Sequence, residues 1–421
     1  MKIFIYNFIL LILLPFIVLR TIYKGYKDSD YLKNFKNRFG IYEERPDGDL
    51  IWFHAVSLGE VIGSEKVVKE FYNTNKIILT VSTPTGLRHA KKIHKENVIV
   101  VYAPWDIYLF IWLFIKKFNP TCLILFETEI WPSMIHNASK NRIPIVLSNA
   151  RMSASSLKKY LLLKPFTRYV FSKISLVLAQ SKKHSDRFKK IGVLEKNLKV
   201  VGSAKFDSQP RIESVQHELT QKNLIFLAAS THEGEDEIVI DSYKQLIKKF
   251  PSLKLILVPR HPERADLILK IFKNKDTSAK VCSEIPKTLD ESDAIIISSI
   301  GKLNTLYDMA DIAFIGGSLL SKYGGHNIIE PAKNKCAIII GPHIKNFEDI
   351  VSQFIENDAC WQLKASNELS YAFKELLNNN ELRINMIHNA FEVVTKNRGS
   401  AEMQHKYISD LILHETSNSN N

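Results

Sequence analysis

Residues 49–82 read DLIWFHAVSLGEVIGSEKVVKEFYNTNKIILTVS. An apolar run (Leu50, Ile51, Trp52, Phe53) lies within a strand expected over Asp49 to Val56, and a second run, Ile77 to Ser82, follows after a helix-length segment. The same alternation continues through Val98 to Tyr102, Cys122 to Phe126, Ile143 to Ser148 and Leu176 to Ala179. Strand, helix, strand in series implies a parallel sheet with helical crossovers. The pattern breaks over Lys205 to Lys222, a polar stretch containing Pro210. It restarts with Leu224 to Ala228, Leu253 to Val258, Ala294 to Ser298, Ile312 to Ile315 and Ala337 to Ile340. The fold class is therefore α/β, two Rossmann-like doubly wound domains in succession. The expected boundaries are an N-terminal helix over 1–22, a first domain over 23–206, a linker over 207–222 and a second domain over 223–415. In such folds ligands bind beyond the carboxyl ends of the strands, here expected in a cleft between the halves.

The composition agrees with a folded chain. Of 421 residues, 45% are hydrophobic and 24% charged, which excludes disorder, collagen-like repeats and coiled coil as global descriptions. Four cysteines (Cys122, Cys282, Cys336, Cys360) form no CxxC pair, so a zinc ribbon or disulfide scaffold is not expected and a reducing compartment fits. Lys and Arg outnumber Asp and Glu, 57 − 44 = +13, which points to an anionic partner.

The N-terminus points to a membrane as that partner. Ile3 to Leu19 is a run of 17 residues without a charge, at the short end of what spans a bilayer as a helix. Leu19-Arg20-Thr21-Ile22-Tyr23 offers no small-residue cleavage site, so a removed signal peptide is not expected. Arg20, Lys24, Lys27, Lys33, Lys36 and Arg38 follow the run and only Lys2 precedes it, which keeps the bulk of the chain on the cytoplasmic side. A second apolar run, Ile107 to Ile115, is too short to span and reads either as core or as a patch resting on the membrane. The Asn/Ser-rich end, Thr416 to Asn421, reads as frayed.

Neither GxGxxG after a strand nor GxxxxGK[ST] occurs, so dinucleotide-binding and P-loop chemistries find no motif. Ser57 and Glu60 have the spacing of a capping box, although a carboxylate at a strand-to-helix junction also suits a general base. Glu127 and Glu129 sit two apart after a strand, where they repel unless one meets a cation or a hydroxyl. Lys205 stands beside the linker, either solvated or holding a carboxylate or phosphate. Arg260 and His261 lie in a proline-flanked loop after a strand, placed for an anion. Gly316-Gly317-Ser318 and then Gly324 to Pro331 form a glycine-rich loop leading into a helix, which suits a phosphate, while Glu330 suits a ribose diol. Asp28-Ser29-Asp30 and Asp47-Gly48-Asp49 match a DxD pattern but precede the first strand, and His232 to Asp236 lacks a second histidine at helical spacing. No metal and no cofactor are expected.

Taken in order, WFHAVSLGE (52–60), FETEIWP (126–132), NARMS (149–153), GSAKFD (202–207), ASTHEGED (229–236), VPRHPER (258–264) and GGSL with GGHNIIEPA (316–332) resemble the bacterial 3-deoxy-D-manno-octulosonic acid (Kdo) transferases of lipopolysaccharide synthesis. The resemblance runs from about Phe35 to Arg398. It implies a GT-B fold with an acceptor-binding first domain and a CMP-Kdo-binding second domain. It further implies a lipid A precursor (lipid IVA) as acceptor, inversion at the transferred sugar, and a site at the cytoplasmic face of the inner membrane. On this resemblance Glu60 falls on the general base, and Glu127 and Lys205 on positions that stabilise the transition state. Arg260 and His261, then Ile300, Gly301 and Lys302, then Asn327, Ile328, Ile329 and Glu330 fall on three contacts to CMP. The family commonly has an acid where this chain has Lys302, which puts any side-chain role there in question. Two other classes compete: a GT-B enzyme using a UDP-sugar, such as a lipid-disaccharide synthase, and a non-catalytic binding protein. Nucleic acid is not an expected partner, because no aromatic-basic stripe or recognition-helix pattern is present.

Overall fold

The computed structural model describes residues 2–43, 48–207, 224–286 and 294–419. The chain divides into two compact units, 1–208 with 397–421, and 209–396. Both are built on seven-stranded parallel sheets.

In the first unit the strands are β1 (Leu50–His54), β2 (Lys76–Val81), β3 (Ile99–Tyr102), β4 (Cys122–Phe126), β5 (Ile145–Ala150), β6 (Leu176–Ala179) and β7 (Leu198–Val200). Their order across the sheet is β3-β2-β1-β4-β5-β6-β7, so the winding reverses between β1 and β4. Alternate side chains serve opposite faces. Leu50, Trp52, Leu123 and Leu125 enter one core, and Ile51, Phe53, Ile124 and Phe126 the other. The Ile107–Ile115 run is mostly core: in the helix Tyr108–Phe118, Phe110, Ile111, Phe114, Ile115 and Phe118 are buried, leaving Leu109 and Trp112 outside.

The second unit contains β8 (Ile225–Thr231), β9 (Lys254–Pro259), β10 (Ala279–Cys282), β11 (Ala294–Ile297), β12 (Ile312–Ile315), β13 (Ala337–Ile340) and β14 (Trp361–Gln362). Here the order is β10-β11-β9-β8-β12-β13-β14, with the reversal between β8 and β12. Strands β7, β10 and β14 have no counterpart among the expected ones. All three are edge strands of two to four residues, partly exposed and without the continuous buried apolar run of the central strands.

The sequence extends the second domain through residue 415, but the chain from Asn397 onward belongs to the first unit. The helix Ser400–Ser419 buries Ala401 and Ile408 in the core that contains Val61, Val67 and Phe71. Asp207 caps it, its carboxylate accepting the Gly399 and Ala401 N–H groups at 2.6 Å each. The buried amide of Gln404 accepts from Ser148 Oγ at 2.6 Å and from Asn149 N at 2.9 Å, tying the helix to the end of β5. Helical structure continues to Ser419, past Thr416, where fraying was expected. Nearly all of the expected linker lies outside the described residues; Asp207 belongs to a short helical turn, Ala204–Asp207.

The N-terminal helix runs Lys2–Lys27, and its Ile3–Lys27 stretch is long and apolar enough to cross a membrane. Of the six cations read as juxtamembrane, Arg38 is not at the surface. It is 4% exposed, lies over the Tyr102 ring at 4.4 Å and donates to Ser82 O. Asp28 and Asp30 of the first DxD pattern pair with Arg88, and Asp30 also with Lys33. Asp47 of the second lies outside the described residues.

Candidate active site

The winding reversal of the first sheet brings the carboxyl ends of β1 and β4 together, which is where open α/β sheets bind ligands. Ser57 is the N-cap and Glu60 the third residue of the helix Leu58–Glu70 that follows β1. The capping box does not form. Ser57 makes no cap bond and instead donates Oγ to Glu60 Oε1 at 3.2 Å, while Glu60 Oε2 accepts the Val56 N–H at 2.5 Å. Burial, with the neighbouring Glu129 and Glu127 charges, pushes the Glu60 carboxyl up from 4.5 to about 7, against the pull of the Val56 N–H and the Ser57 hydroxyl. A helix N-terminus tends to lower the pKa of a nearby carboxyl, but desolvation is the larger effect here.

After β4, Glu127 adopts a left-handed backbone (φ +59°), a conformation costly for a side chain of this size. The turn delivers its carboxylate, 8% exposed, to two cations: Lys205 Nζ lies 2.9 Å from Oε1 and Arg151 Nε 2.9 Å from Oε2. Burial alone would raise its pKa, but the two cations hold it below the ordinary value. Glu129 turns away and accepts the Trp131 indole N–H at 2.8 Å; burial raises its carboxyl. The expected conflict between Glu127 and Glu129 is thus resolved by giving one to cations and the other to an indole. Gly63, one turn past Glu60, makes room for this: a Cβ there would meet the Phe126 ring at 3.2 Å and Lys205 Cε at 3.6 Å. Asn149, also left-handed at φ +51°, accepts the Ala204 N–H through Oδ1 at 3.0 Å and so positions the turn carrying Lys205. The site therefore holds one carboxyl that titrates near neutrality beside one that stays ionised between two cations.

In the second unit, β8, β9 and β12 end at another winding reversal. Here Gly316–Leu319 is not an open phosphate cradle. Glu235, fully buried, accepts from His232 N at 3.0 Å, Gly317 N at 2.7 Å and Leu319 N at 2.9 Å, filling the loop with the protein's own carboxylate. Beside it His232 and His326 meet Nε2 to Nε2 at 2.8 Å, and His232 stacks on Tyr323 with 3.9 Å between ring centres. Both imidazoles are pushed down to about 4, first by burial and then by neighbours that include Arg260 and His261. The secondary contributions of Arg260, Arg264 and Lys322 to His232 show that cationic side chains gather at this edge, which suits an anion. Gly317 is left-handed (φ +68°), and a Cβ on it would stand 2.8 Å from the His326 ring.

Of the residues expected to contact a nucleotide, Arg260 and His261 are exposed at the end of β9. Asn327 and Glu330 pair through Nδ2 and Oε1 at 3.3 Å, and burial raises the Glu330 carboxyl while Asn327, Lys333 and Arg260 oppose it. Ile328 and Ile329 are fully buried, so only their backbones are available. The helix they begin, Ile329–Lys333, is a single turn, and Asn327 Oδ1 already takes the Ile329 N–H at 3.0 Å. It is not the open helix terminus expected. Ile300 is 86% exposed, Gly301 is left-handed in open space, and Lys302 pairs with Glu284. Sequence reasoning did not assign Arg151, Asn149, Glu235 or His326. Each stands inside a quoted string, but its role depends on a partner 24 to 94 positions away.

The architecture is that of the GT-B glycosyltransferases and their sugar-nucleotide relatives. A glycosyltransferase from Rickettsia africae superposes with TM-score 0.59 over 89% of this chain and 100% of its own, at 14% identity. The UDP-GlcNAc 2-epimerase of Neisseria meningitidis does so with TM-score 0.61 over 88% and 100%, also at 14% identity, a likeness of fold alone. A family model described as 3-deoxy-D-manno-octulosonic-acid transferase matches residues 33–208. The 3-deoxy-D-manno-octulosonic acid transferase of Haemophilus influenzae is 34% identical over 413 residues, covering 95% of this chain and 96% of that protein. The Rickettsia bellii enzyme of the same name is 30% identical over 409 residues, covering 93% and 96%. This chain belongs to the 3-deoxy-D-manno-octulosonic acid transferase family and is a Kdo glycosyltransferase.

Proposed function

We propose that this chain transfers Kdo from CMP-Kdo to a hydroxyl of the lipid A precursor lipid IVA, with inversion and with Glu60 as general base. The observation that carries the proposal is the Glu60 carboxyl in the first turn of the helix after β1, raised to about 7 beside an ion-paired Glu127. A base is most effective when its pKa lies near the working pH. The acceptor hydroxyl attacks the anomeric carbon of Kdo and its proton passes to Glu60. The bond from that carbon to the phosphate oxygen breaks, and CMP leaves with the bonding electrons. As this carbon becomes oxocarbenium-like beside the Kdo carboxylate, Glu127 faces the growing positive charge and Lys205 and Arg151 the carboxylate. The first unit takes the acceptor. The second takes CMP-Kdo through Arg260 and His261, the backbone of Ile300, Gly301 and Lys302, and Asn327 with Glu330 at the ribose; Ile328 and Ile329 contribute backbone only. With Lys302 engaged by Glu284, its side chain is not needed for this contact. The N-terminal helix holds the enzyme on the cytoplasmic side of the inner membrane, its flanking cations favouring that side.

Protection against heat unfolding by CMP but not UDP, together with the anomeric configuration of the product by NMR, tests donor and stereochemistry. Protection by UDP alone, or retained configuration, refutes the proposal.

A further inference from the structure

Between the N-terminal helix and the rest of the first unit lies an open groove of about 340 Å³. Tyr6, Leu10 and Ile17 of the helix form one wall. Trp105 and Ile107, ahead of the helix Tyr108–Phe118, form the second, and Ile130 and Trp131, after β4, the third. The remaining lining residue is Asp106, and its carboxylate is already satisfied by Ser133 N at 3.0 Å, Met134 N at 2.8 Å and Tyr6 OH at 2.8 Å. Seven of the eight lining residues present mainly aliphatic or aromatic surface, and an open groove of that character suits an apolar guest.

Asn7, the polar residue that interrupts the apolar run, clamps the helix at a fixed distance. Its side chain donates to Ser133 Oγ at 3.0 Å and accepts the Tyr108 N–H at 2.6 Å. On its outer side the helix wall turns into a face of exposed apolar residues, among them Phe8, Leu11, Leu13 and Phe16. Tyr6 also meets Phe166 at 5.9 Å, close to the exposed Leu162 and Leu163. Water-exposed apolar surface of this extent suits lipid. Trp131 of the lining also holds Glu129, the carboxylate that acts on Glu60. The helix wall thus continues into the exposed apolar face, and the Trp131 wall leads through Glu129 to Glu60.

We infer that this slot receives one acyl chain of the acceptor lipid and so positions the sugar hydroxyl at Glu60. The inference rests on the lipid acceptor proposed above and adds where its hydrocarbon sits. The test uses the full chain in phosphatidylglycerol-containing vesicles, with a lipid A precursor bearing a diazirine on one acyl chain. Photolysis should label the segments holding Leu10, Trp105 and Ile130–Trp131, and unlabelled precursor should displace the label while excess phosphatidylglycerol should not. Leu10→Trp, or Ile17→Trp should the first misfold, should remove that label. Either variant should also lower the preference for acylated over de-acylated disaccharide acceptor about tenfold, the effect of excluding roughly two methylenes from apolar cover. Label confined to Phe8 and Phe16, displacement by bulk phospholipid, or an unchanged preference in both variants overturns the inference. Failure of the wild type to transfer Kdo to either acceptor would refute the acceptor proposal instead, so the two failures are distinguishable.

Discussion

Replacing Glu60 by Gln should stabilise the protein, and only above a definable pH. The folded carboxyl titrates at about 7 against an ordinary 4.5. At about 1.4 kcal/mol for each pH unit this is on the order of 3 kcal/mol, trimmed to about 2 kcal/mol because the side chain is partly exposed and screened. Below pH 4.5 the group is protonated folded and unfolded, and nothing is lost. Between 4.5 and 7 the unfolded chain gives up its proton first, so stability falls as pH rises, and above 7 the full cost is present. Gln keeps an oxygen for the Val56 N–H and carries no charge, so the variant should match wild type near pH 4 and exceed it by about 2 kcal/mol at pH 8. For a unit of this size that is roughly 4–8 °C in melting temperature. Four of the five tryptophans, Trp52, Trp105, Trp112 and Trp131, lie in the first unit, so urea unfolding followed by fluorescence reports on it. Parallel pH profiles for variant and wild type would refute the argument that burial outweighs the helix terminus at Glu60.

The same titration should govern rate: kcat/KM should rise with pH through an apparent pKa near 7, a flat profile from pH 6 to 8 arguing against a base at Glu60. Lys205→Ala removes one of the two cations on Glu127; transfer should fall about a hundredfold while CMP protection of the second unit is unchanged, and a loss of CMP protection would contradict that division of roles. Glu235→Ala leaves three backbone N–H groups without their acceptor, so the second unit should lose on the order of 3 kcal/mol and CMP should no longer protect it in a thermal scan. Undiminished stability would show that the loop does not depend on its internal carboxylate.

The parallel sheets were legible because each central strand is a continuous apolar run between helix-length segments, and Trp52, Ile124, Leu257 and Phe314 are all buried where those runs place them. What escaped depends on contacts distant in sequence. Residues 397–415 look like a continuation of the second domain until Gln404 meets Ser148 and Asn149, some 255 residues earlier. The spacing of Ser57 and Glu60 suggests a cap, but burial and the route of the chain beyond β4 decide that Glu60 faces Val56 and two other carboxylates instead. Gly316 and Gly317 mark a loop that must approach closely, yet only the fold shows what is approached: the Ser230–Thr231 backbone at Gly316, and Glu235 with the His326 ring at Gly317. Arg38 reads as one more juxtamembrane cation, whereas stacking on Tyr102 takes it into the interior.

The most direct test of the account is Kdo transfer itself. Freshly generated CMP-Kdo and lipid IVA are incubated with wild type and Glu60→Gln side by side, products are read by mass, and donor binding is checked in both proteins. The account predicts a gain of one or more Kdo units with wild type, and loss of that gain in the variant with CMP binding retained. A folded wild type that leaves lipid IVA unchanged, or a variant that transfers as fast as wild type, would contradict it.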